Sequence, residues 1–101
     1  MATSYSYAWE KLYDAVRTLA HGSDPLAVRL RDAYTGALIR LQARDFPDPD
    51  LCERFILLKE EMSPQGRIDV ALASWGEIDL RRIADLILSL YDAVARKKGD
   101  L

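Results

Sequence analysis

Apolar residues recur along this chain at intervals of three and four, the repeat of an α-helix, and no stretch shows the alternation of a half-buried strand. The first such segment, Tyr5 to Ala20, places Tyr5, Trp9, Leu12, Val16 and Leu19 on one stripe. His21–Gly22 closes it, glycine being the residue that takes the left-handed backbone after a helix without a Cβ clash. The second segment is predicted as a helix over Pro25–Ala43, with Asp24 as its cap and Pro25 at the first position, where a missing N–H costs nothing. Its stripe is Leu26, Leu30, Ala33, Tyr34, Ala37 and Leu41.

"DFPDPD" repeats the device: Asp48 caps and Pro49 opens a third helix, Pro49–Met62, carrying Leu51, Phe55, Leu58 and Met62. Pro64 and Gly66 mark the loosest joint. A short helix over Ile68–Trp75 follows and ends at Gly76. The last helix, Glu77–Lys97, collects Arg96, Lys97 and Lys98 near its C-terminus, where the helix dipole favours cations, and Gly99 closes it. The pattern predicts an all-α fold, a compact bundle of four main helices plus one short helix. It reads as a single domain over 1–101, with frayed termini at 1–4 and 98–101.

The last helix has the widest apolar arc. Leu80, Ile83, Ala84, Ile87, Leu90, Tyr91 and Val94 form its centre, Leu86 and Leu88 flank it, and Arg81, Arg82, Asp85, Ser89, Asp92 and Arg96 leave a narrow polar strip. Such a helix is either central in the bundle or part of an oligomer seam. The pentapeptide "LYDAV" occurs at Leu12–Val16 and again at Leu90–Val94, but its flanks share no residue types. It is read as two core-facing turns, with Leu12, Tyr13, Val16, Leu90, Tyr91 and Val94 inward and the first and last helices packed together.

Composition narrows the classes of function. Half of the 101 residues are hydrophobic and the net charge is −2, so no strong field draws the molecule to nucleic acid or anionic lipid. The opening "MATSYSYAWEKLYD" lacks a basic region before an apolar stretch and does not read as a signal peptide. "IADLILSLY" is too short and, at Asp85, too polar to span a bilayer. With one cysteine, Cys52, no internal disulfide forms, which suits a reducing cytoplasm.

Chemistry-bearing groups are sparse. His21, the only histidine, sits in a helix-ending turn and reads as a partner of the helix C-terminus. Cys52 reads as a small core residue in the first turn of the third helix. One Cys and one His cannot make a structural zinc site, and no EF-hand spacing or glycine-rich phosphate loop is present. The chain is therefore read as non-catalytic, with no cofactor and no metal.

The passage Ile68–Trp75, Gly76, Glu77 onward has a superficial helix-turn-helix look, but Glu77 and Asp79 stand where phosphates would approach. Arg29, Arg40 and Arg44 share a side of the predicted second helix, and weak nucleic-acid binding through them is the alternative function. Val28 and Ile39 point away from Leu30 and Leu41, with Thr35 between them; either two helices flank this one or the strip is a contact patch. Tyr7 lies off the main stripe of the first helix in the same way. Tyr7, Val28, Thr35 and Ile39 are the partner-contact candidates.

"AWEKLYDAVRTLA", "RLRDAYTGALIRL", "DFPDPDLCERFILLKEEM" and "LRRIADLILSLYDAV" together resemble short, uncharacterised bacterial all-helical proteins. The likeness covers most of the chain and rests on packing residues. It implies a bacterial cytoplasmic helical domain and brings no activity, cofactor or catalytic residue with it. The function expected is that of a protein-interaction or regulatory module, with a protein partner or a second copy of itself as the bound species, and neither membrane nor nucleic acid.

Overall fold

Proline and aspartate chemistry sets the largest helix boundaries. In the computed structural model, which describes residues 4–99, five helices follow one another: α1 Ser6–Ala20, α2 Leu26–Gly36, α3 Pro49–Met62, α4 Ile68–Ser74 and α5 Glu77–Gly99. Single 3₁₀ turns at Leu38–Arg40, Ala43–Asp45 and Pro64–Gly66 join them, and every regular element among the described residues is helical. The all-α bundle of four main helices and one short one is thus the observed architecture. Asp48 caps α3 as its position requires, its carboxylate accepting from the N–H groups of Asp50 (2.8 Å) and Leu51 (3.3 Å). α1 ends where His21 turns to extended backbone (φ −90°, ψ 129°), and Gly22 after it takes a positive φ of 117°.

α1 starts at Ser6 and α4 ends at Ser74, each one residue inside the sequence pattern, and three further boundaries differ. The second helix stops at Gly36, not at Ala43, and its remainder becomes two 3₁₀ turns. Glycine costs about 1 kcal/mol in a helix interior, and it follows β-branched Thr35. The break also lets Leu38, Leu41 and Phe46 all reach the core. Phe46 then stacks on Phe55 of α3, centroids 4.5 Å apart. The carbonyl freed at Gly36 accepts from Arg40 Nη1 at 2.7 Å. Second, Asp24 makes no side-chain cap; Pro25 occupies the capping position and α2 begins at Leu26. Third, α5 runs to Gly99 rather than Lys97, and the Lys98 ammonium lies 5.1 Å from the Trp9 ring centroid. Of the termini foreseen as frayed, residues 1–3, 100 and 101 lie outside the described residues.

α5 is the central post. Ile83, Ile87, Leu90 and Val94 are buried, and the helix packs against α1, α2 and α3. From α1 come Ala8, Leu12, Ala15 and Leu19; the two alanines bring backbones close, while Trp9 and Val16 are only partly covered. The repeated pentapeptide accordingly has its leucines and Val94 in the core, with α1 and α5 in contact. Tyr13 is the exception. It is 39 % exposed, because it lies at the edge of the α1 stripe, where its ring stacks on Trp9 (5.1 Å, 8°) and tilts against Tyr91 (6.3 Å). Neither aspartate is buried: Asp92 is exposed and pairs with Arg96, and Asp14 lies 3.9 Å from Lys11.

Asp48 also ties three helices at one end of the bundle. Its N–H donates to the buried Tyr5 hydroxyl at 2.8 Å, and its carboxylate pairs with Lys97 of α5 at 3.0 Å. The hydrogen bond from Lys97, then the backbone N–H of Leu51, hold the Asp48 carboxyl below its ordinary value. A carboxyl depressed in the folded state contributes stability above its unfolded pKa and loses it as pH falls through the folded one. Asp48→Asn keeps a cap acceptor but removes the charge. We therefore expect the thermal midpoint of the variant to fall less than that of the parent on acidification below about pH 4. Equal acid sensitivity in the two proteins, followed by circular dichroism, would show that Asp48 does not contribute this way.

Candidate functional site

The break after Gly36 decides the fate of the contact strip foreseen on the second helix. Val28 and Thr35 remain on α2, Val28 half-buried and Thr35 exposed with its hydroxyl donating to the Arg31 carbonyl at 2.9 Å. Ile39, 47 % exposed, sits instead in a 3₁₀ turn. Tyr7 is exposed on α1, its ring 5.6 Å from the Lys11 ammonium. Tyr7 thus lies on the first helix as expected, while the three residues expected on the second are divided between α2 and the 3₁₀ turn.

The arginine stripe is dispersed by the same break. Arg29 Nη1 donates to the Leu19 carbonyl at 2.6 Å, and its Nε to the Asp24 carbonyl at 2.8 Å, so this guanidinium closes the α1–α2 turn. Arg40 and Arg44 belong to separate 3₁₀ turns. At the other end of the chain, Arg81 and Arg82 pair with Glu77, and with Glu61 and Asp79, which occupies the charges around the start of α5. The Glu61 hydrogen bond is the main cause holding the Arg82 guanidinium above its ordinary pKa.

His21 is exposed beside Gly22, on the rim of an open polar crease lined also by Asp14, Arg17, Asp24 and Asp32. Cys52 is half-buried, its thiol donating to the Ala43 carbonyl at 3.6 Å. Among the described residues, no group of three His, Cys, Asp or Glu side chains could hold a metal ion.

The most built surface feature lies between α3 and α5. A groove of about 270 Å³ is lined by Arg54, Leu57, Leu58, Glu61, Leu86 and Leu90. Leu58 and Leu90 are buried at its floor, whereas Leu57 is 59 % exposed and Leu86 39 %. Two polar links cross from α3 to α5 here: Arg54 Nη2 donates to the Ser89 hydroxyl at 2.9 Å, and Arg82 of α5 bonds Glu61 of α3. Arg54 has no carboxylate partner among the described residues. The groove is thus an apolar floor spanned by two polar links between α3 and α5. Leu86 was visible in sequence as a flank of the wide arc. Leu57 was not singled out, although the run Ile56–Leu57–Leu58 carries the signal: three consecutive apolar residues on a helix cannot all face one core.

No protein-family model, curated protein or solved structure matches the chain.

The role found for Arg29 is testable. Arg29→Ala leaves the Leu19 and Asp24 carbonyls without this donor and should cost about 1–2 kcal/mol in urea denaturation. Arg29→Lys, with one compact ammonium instead of a fork, should recover only part of that. An unchanged midpoint in the alanine variant would contradict the assignment.

Proposed function

We propose that this protein is a non-catalytic interaction module that receives another polypeptide in the groove between α3 and α5. The observation carrying this reading is the exposure of Leu57 and Leu86 side by side with Arg54 and Glu61 on a surface whose floor is already packed. Leaving a leucine mostly in water forgoes most of the ~1.5–3 kcal/mol that its burial supplies, and a partner that covers it recovers that term. The arginine and the carboxylate at the groove then give orientation, since charge selects register more than it adds affinity. A regulatory role follows from occupancy: a bound segment on α3 and α5 excludes any competitor for the same face. We place the module in the cytoplasm, where a lone half-buried thiol such as Cys52 stays reduced. Among the described residues no helix is long and apolar enough to cross a membrane.

The test is site-directed photo-crosslinking in the producing cell, with a photoreactive residue in place of Leu57 and, separately, in place of exposed Arg31 on α2. Discrete protein adducts from position 57 and none from position 31 are expected. Absence of protein adducts at position 57 would contradict the reading.

A further inference from the structure

The groove has a property that its lining does not require. Arg54 and Glu61 stand two helical turns apart on α3, about 10 Å along the axis, and Leu57–Leu58 mark the midpoint between them. A two-fold axis perpendicular to α3 through that midpoint sets the cation of one copy opposite the carboxylate of the other. We infer that the occupant of the α3/α5 groove is a second copy of this chain, docked by antiparallel crossing of the two α3 helices about Leu57–Leu58.

This inference rests on the groove being the interaction surface and names its partner. In such a pair Leu57 of each copy enters the other's groove beside Leu86, removing both exposed leucines from water. Arg54 of each copy faces Glu61 of the other, so one contact made is automatically made twice, as an isologous interface demands. The charge bookkeeping also favours a copy over an unrelated chain. Arg54, whose partner among the described residues is the neutral Ser89 hydroxyl, gains a carboxylate; Glu61 keeps Arg82 and adds a second guanidinium. Parallel crossing would instead set Arg54 against Arg54 and Glu61 against Glu61, which repels. The apolar patch is narrow, so the association is concentration-dependent rather than obligate.

Sedimentation equilibrium of the full chain from about 10 μM to about 1 mM reads it directly. The mass should rise from 11.4 kDa towards twice that value. Arg54→Glu places two carboxylates at each contact, and Glu61→Arg two guanidinium groups, so each variant alone should remain monomeric throughout while keeping the parental helix content. Mixed in equal amounts, the two variants restore opposite charges at both contacts and should associate with each other. A parental chain that stays monomeric at the top concentration, variants that dimerise like the parent, or a mixture that stays monomeric would each overturn the inference. A monomeric parent that still yields adducts to a different protein from position 57 would remove the second copy and leave the groove as an interaction surface. A monomeric parent without adducts would remove both.

Discussion

Burial of one helical stripe, Ile83, Ile87, Leu90 and Val94, holds this molecule together. These four side chains sit on α5 at spacings of four, three and four, and α1, α2 and α3 are laid against them. Removing such a stripe from water is non-directional and strong, on the order of 1.5–3 kcal/mol for each residue, so it selects which faces meet rather than how the chain turns between them. The flanks of that stripe have different fates. Leu88 faces a shallow apolar hollow beside Leu19 and Leu26, whereas Leu86 lines the groove with α3. A wide apolar arc on a central helix is thus partly core and partly surface.

Polar contacts then fix what apolar burial leaves free. Each joint has a side chain that answers a backbone group exposed by the turn. Arg29 caps the end of α1 from α2, Lys59 of α3 donates to the Leu41 carbonyl at 2.8 Å, and Asp48 gathers α1, α3 and α5. Among the described residues no buried side-chain nitrogen or oxygen lacks a hydrogen-bond partner. A bundle of this size has little stability to spare, and an unsatisfied buried group would cost about 1–3 kcal/mol. Arg29 is thus engaged in closing the α1–α2 turn, whereas among the described residues Arg54 beside the groove has a hydroxyl as its partner.

Helix starts built on Asp48–Pro49 and Gly76–Glu77 were legible because the residues act locally, through a cap acceptor or a favourable φ. The core faces of α3 and α5 were legible because their stripes repeat without interruption. The end of α2 was not. Its apolar spacing continues past Gly36; the glycine weakens the helix there, and the need of Leu38, Leu41 and Phe46 to reach one core, a tertiary effect, completes the break. Tyr13 escaped for a related reason: its position at the stripe's edge is settled by stacking on Trp9, which spacing does not encode. The groove combined both cases. Leu86 was read as a flank, but its pairing with Leu57 depends on how α3 is rotated against α5.

As the element against which α1, α2 and α3 pack, α5 should open last. Native-state amide hydrogen exchange measures this residue by residue. The amides of Ile83, Ile87, Leu90 and Val94 should be the slowest in the protein, exchanging only through global unfolding, with the short α4 opening at lower free energy. Exchange of those α5 amides through a local opening, at a free energy below that of α1, would contradict it.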